Sequence, residues 1–110
     1  MILLNAISAN MLAEFPVSVT FTEISPADAR SLLLAESSGE AEIRSAVGHA
    51  ETAAVFSSVL GLPVPCRRET VVLARGESAI VGQYSGPRLP EGATSLPANA
   101  TIRWLRVSVS

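Results

Sequence analysis

The stretch "VSVTFTEISPADARSLLLAES", Val17–Ser37, carries two different periodicities in succession. Val17 to Ile24 alternates apolar and polar residues with period two, the pattern of a strand with one buried face. Ser25, Pro26 and Asp28 then supply an N-cap, a first helical residue with a preset φ and a carboxylate in the first turn. A strand that hands over to a helix at a single capping residue belongs to the α/β or α+β class.

Upstream, "ILLNA" (Ile2–Ala6) is an apolar run of strand length, and Ser8 is placed to cap a short helix, "ANMLAEF", that Pro16 stops. Downstream, "AEIRSAVG" (Ala41–Gly48) reads as a weak short strand. "AETAAVFSSVL" (Ala50–Leu60) is helical in period and is closed by Gly61 and Pro63. "ETVVLAR" (Glu69–Arg75) and "SAIVGQY" (Ser78–Tyr84) flank Gly76 and Glu77 and predict a hairpin. A Gly/Pro-rich loop, Ser85–Ala100, leads to a last strand, "TIRWLRVSV". Helices alternate with strands early and strands pair late. The expectation is one α/β (α+β) domain over residues 1–110, a mixed sheet of about five strands flanked by short helices.

Composition narrows the function. Hydrophobic residues make up 48% and charged residues only 16%, which excludes a disordered chain and points to a surface completed by a second copy, a homodimer. A net charge of -2 offers no basic field for long nucleic acid. Residues 1–13 are uncharged, but no basic residue precedes the apolar part and Asn5, Ser8 and Asn10 interrupt it, so a cytoplasmic protein is expected. No run is long enough to span a membrane, and no membrane partner is expected. A lone Cys66 and a lone His49 leave no cluster of zinc ligands, and metal-free chemistry without a cofactor is the default.

His49 stands in "AVGHAETA", immediately before the predicted helix at Ala50. Its first backbone N–H groups lack partners and attract anions, while imidazole exchanges protons near neutrality. A general acid beside a bound phosphate and a histidine that merely caps or packs at the turn are both open. Arg88 and Glu91, in "GPRLPEGA", read either as a phosphate clamp with a carboxylate or as an exposed ion pair. Arg67 and Arg68 are either phosphate ligands or solubilising charges.

Taken in order, "LLNAISANML", Phe15–Pro16, "AVGHAETA", "CRRETVVL" and "GPRLPEGA" resemble the viral anti-CRISPR ring nucleases of type III systems and their cellular relatives, over nearly the whole chain. The resemblance implies a homodimer that degrades the second messenger cyclic tetra-adenylate. It implies a catalytic role for His49, Arg88 and Glu91, and contacts to the ligand from Ser8, Asn10, Asn5, Arg68, Thr52 and Gln83. Departures fall at Ile7, at Arg67 and at Gly86–Pro87, which lengthen the loop before Arg88. The implied reaction is attack of a ribose 2′-hydroxyl on phosphorus, with His49 protonating the departing 5′-oxygen and Arg88 neutralising charge on the phosphoryl group. Glu91 would orient His49 or the 2′-hydroxyl. The alternatives are a dimer that sequesters a cyclic oligonucleotide, and a structural or regulatory protein of a mobile element.

Overall fold

The computed structural model describes residues 1–36 and 43–110. The strands are β1 (Ile2–Leu4), β2 (Val19–Ile24), β3 (Ser78–Ser85) and β4 (Thr101–Val109); the helices are α1 (Pro26–Glu36) and α2 (Ala50–Leu60). The four strands form one mixed sheet in the order β1-β3-β4-β2. β1 runs parallel to β3, with Leu4 opposite Val81, and β4 is antiparallel to both β3 and β2. The expected α+β domain with a mixed sheet is therefore present, with four strands in it.

Local chemistry sets the start of α1 and the end of α2. The Asp28 N–H donates to Ser25 Oγ at 3.0 Å, so the side chain of Ser25 satisfies one of the orphan donors of α1. α2 ends on Gly61 at φ 69, whose N–H donates to the Ser57 carbonyl. There the left-handed backbone costs glycine little.

One face of the sheet carries Leu3, Ile80 and Trp104 and is covered by the helices through Leu33, Ala53, Phe56 and Leu60. Phe56 is fully buried and meets Trp104 edge-on, ring centroids 4.9 Å apart. The absence of a side chain at Gly82 makes this possible, since a Cβ there would lie 2.6 Å from Phe56 Cζ and 2.8 Å from Trp104 Cζ3. The other face carries Ile2, Leu4, Ala79, Val81, Val107 and Val109 and is covered by Val71 and Leu73 together with Ile7, Met11 and Leu12.

Four local expectations are corrected. The hairpin of Glu69–Arg75 with Ser78–Tyr84 does not form. The Gly76 turn is present, but β3 spends one edge on β1 and the other on β4, which leaves no edge for residues 69–75. That segment keeps its alternation by turning Val71 and Leu73 into the core and Val72 outward. The helix expected over Ala9–Phe15 is a single 3₁₀ turn, Ala9–Met11. Residue 73 captures the next backbone groups, its N–H donating to the Met11 carbonyl and its carbonyl accepting from Ala13, so the chain leaves the helix.

The weak strand Ala41–Gly48 is reduced, over its described residues, to isolated bridges from Ser45 to Leu3 and from Val47 to Cys66; Ala41 and Glu42 lie outside the described residues. It nevertheless covers the outer edge of β1, the Leu3 N–H donating to Arg44 and the Leu3 carbonyl accepting from Ala46. β2 begins at Val19 and, contrary to its alternating pattern, buries neither face over residues 20–23; only its end residues Val19 and Ile24 pack, partly buried, against the two cores. It is an edge strand paired only with β4, and Phe21 at its centre is 50% exposed.

Candidate functional site

The parallel pair β1 and β3 aims its carboxyl ends at one rim of the sheet. In open α/β sheets this rim is where ligands bind, because side chains and helix starts converge beyond the strand ends. Asn5 follows β1 directly, and Tyr84 is the last residue but one of β3. His49 arrives at the same rim as the N-cap of α2, with extended backbone at φ -120 and its carbonyl accepting the Ala53 N–H. Its imidazole makes no capping hydrogen bond, and the residue is exposed. The side chain neither caps the helix nor packs in the core.

Two clefts meet at this side chain. The larger, about 700 Å³, is lined by His49, Glu51, Thr52, Tyr84, Arg88 and Glu91, with Leu89 and Pro90 between the last two. The smaller, about 530 Å³, runs from His49 over Gly48 to Asn5, Arg68, Glu69 and Thr70. The bridge between Val47 and Cys66 and the Arg67 N–H on the Val47 carbonyl bring the second wall alongside. Arg68 is then fixed by its Nε–H, which donates to the Gly48 carbonyl at 3.2 Å. Gly48 permits that approach, since a Cβ there would sit 3.1 Å from Arg68 Cγ. Glu69 is turned to the Arg44 guanidinium at 3.0 Å, an exposed pair that contributes little to stability.

Arg88 and Glu91 do not pair with each other, and neither has a hydrogen bond or ion pair with the described residues. A guanidinium and a carboxylate on one cleft wall, facing an uncommitted imidazole, can bind an anion, accept a hydroxyl proton and deliver a proton to a leaving group. Among the described residues no group of three or more His, Cys, Asp or Glu is placed to hold a metal ion.

Of the residues named from the sequence, His49, Arg88, Glu91 and Thr52 share the larger cleft, and Asn5 and Arg68 share the smaller. Ser8, Asn10 and Gln83 line neither. Gln83 has the strand parity of Ala79 and Val81 and so points to the face away from the helices, while Ile7 and Met11 place Ser8 and Asn10 over that same face. Two polar residues of the larger cleft escaped the sequence reading. Period-two alternation from Ile80 puts Tyr84 on the helix side, and Glu51 lies in the first turn of the helix that His49 opens.

The STIV B116-like family matches residues 1–101, nearly the whole chain. The chain belongs to that family. Among solved structures, B116 of Sulfolobus turreted icosahedral virus is similar over 97% of each chain, with 27% sequence identity and a TM-score of 0.78. No curated protein matches the chain. The family match over residues 1–101 spans β1, α2, β3 and the loop after it, the segments on which both clefts open. No helix of the described residues is long and apolar enough to cross a membrane.

Proposed function

We propose that this B116-like protein is a virus- or mobile-element-encoded ring nuclease that cleaves cyclic tetra-adenylate and so switches off the signal of a type III CRISPR system. The observation that carries the reading is the convergence of His49, Arg88 and Glu91 on one cleft, with none of the three spent on a structural contact. The origin of the matched structure in a virus supports the setting.

The substrate supplies its own nucleophile. The ribose 2′-oxygen attacks the adjacent phosphorus, the bond from phosphorus to the 5′-oxygen breaks, and the products are linear di-adenylates ending in 2′,3′-cyclic phosphate. His49 in its protonated form donates to the departing 5′-oxygen, whose developing charge makes that transfer most favourable in the transition state. Arg88 neutralises charge on the non-bridging oxygens. The 2′-hydroxyl proton passes to solvent water as the new oxygen–phosphorus bond forms, and Glu91 accepts a hydrogen bond from that hydroxyl or from the imidazole. Nucleophile, acid and cation all come from substrate and chain, so the reaction needs no metal.

A two-fold dimer fits a four-fold ring, because each subunit presents the same residues to opposite phosphates. Support for dimerisation comes from the exposed apolar side chains. Phe15, Phe21 and Val72 are each at least half exposed, and all lie on β2 or on the segments covering the helix-free face. Light scattering at micromolar concentration is expected to give a dimer, with an interface of about 1,200–2,000 Å²; a monomer overturns the paired site.

Labelled cyclic tetra-adenylate, incubated with and without a chelator, tests the activity. Cleavage to di-adenylates in both arms is expected. Loss of cleavage in the chelator, restored by a divalent ion, overturns the chemistry. Tight binding without cleavage returns the protein to a sequestering role, and no binding returns it to a structural or regulatory one.

A further inference from the structure

We propose that Tyr84 and Glu51 are positioning residues that strap the loop carrying Arg88 and Glu91 to the body of the protein at two separate points, an inference that rests on the reading of this cleft as a cleavage site.

The first strap is at the root of the loop. The Tyr84 hydroxyl donates to the carbonyl of Pro87, the residue directly before Arg88. Between them Gly86 has φ 154, and a Cβ on it would stand 2.6 Å from Ala100 Cβ and 3.2 Å from Tyr84 Oη. Glycine therefore lets the two ends of the loop, residues 86 and 100, touch beneath the tyrosine hydroxyl.

The second strap is at the tip. The Gly92 N–H points to Glu51 Oε1 at 3.5 Å. Glu51 is half-buried and lies in the first turn of α2, where the helix end favours a carboxylate and holds it beside His49. The Ala93 N–H, donating to the Pro90 carbonyl at 3.0 Å, closes the turn between the straps.

Arg88 and Glu91 are thus each next in sequence to a backbone group that a strap holds: the Pro87 carbonyl before one, the Gly92 amide after the other. This matters because both side chains are exposed and neither holds itself by a contact to the described residues. A loop with few buried contacts opens easily, and a misaimed cation loses catalytic effect without losing its charge.

Hydrogen exchange at the Gly92 and Ala93 amides tests the straps without substrate, with the Ala53 and Gly61 amides of α2 as internal reference. Tyr84→Phe and Glu51→Ala are each expected to speed loop exchange about tenfold with the reference amides unchanged. Glu51→Gln keeps an acceptor oxygen and is expected to keep slow exchange. On cyclic tetra-adenylate, Tyr84→Phe and Glu51→Ala are expected to lower kcat about tenfold at nearly constant KM and an unaltered pH profile, with Glu51→Gln restoring the rate. Unchanged loop exchange in both disrupting variants overturns the straps, and faster exchange with unchanged kcat overturns the positioning role. A wild-type protein that never cleaves overturns the proposed function instead, and the exchange result still decides the straps.

Discussion

His49→Ala is expected to slow cleavage of cyclic tetra-adenylate by about 10²- to 10⁴-fold while leaving the ligand bound, the usual contribution of a general acid. The separation follows from where the imidazole sits. It makes no capping hydrogen bond and is exposed, so its removal takes no support from the fold. The helix start is kept as well, because the His49 backbone carbonyl still accepts the Ala53 N–H. Proton donation to the departing oxygen is worth most in the transition state, so binding and rate should come apart. Single-turnover rates, a binding titration and a melting curve on the same variant measure all three quantities. Cleavage at the parental rate by well-folded His49→Ala would falsify the acid assignment.

Phe56→Ala is expected to destabilise the fold by about 3–5 kcal/mol, the range for an aromatic ring lost from a packed core. The ring is fully buried, stacks edge-on against Trp104 and fills the space that Gly82 leaves open on β3. Because the sheet backbone cannot move in to replace it, a cavity remains between α2 and the sheet. For a domain of this size the melting midpoint should fall by more than about 10 °C. Ser58→Ala, at an exposed position of the same helix, is the control and should change stability by no more than about 0.5 kcal/mol. Equal midpoints for Phe56→Ala and wild type would show that α2 is not held by this contact.

The helices were readable because their signals are local. Ser25, Pro26 and Asp28 act within one turn, and Gly61 ends α2 by its own backbone freedom, so both helices appear where the residues place them. The alternation of Val71, Val72 and Leu73 was equally real but reported burial rather than pairing. A period of two states which side chains turn inward; it does not state which backbone lies alongside. β4 took the edge of β3 that the predicted hairpin required, and residues 69–75 were left to cover the sheet face instead. β2 shows the converse, an alternating sequence at a sheet edge whose central residues 20–23 stay exposed on both faces.

The same division applies to the site. The sequence by itself determined the capped helices, the position of the lone histidine at a helix start, and a proline-rich loop bearing one cation and one carboxylate, because each is set by neighbouring residues. Only the tertiary structure decided that these parts meet. The parallel pairing of β1 with β3 carries the loop after β3 to the rim where α2 begins, some forty residues away in the chain. Strand parity then admitted Tyr84 to that cleft and turned Gln83 to the opposite face. Contacts between distant segments depend on which sheet edges remain free once the others are paired, and no single stretch of sequence carries that information.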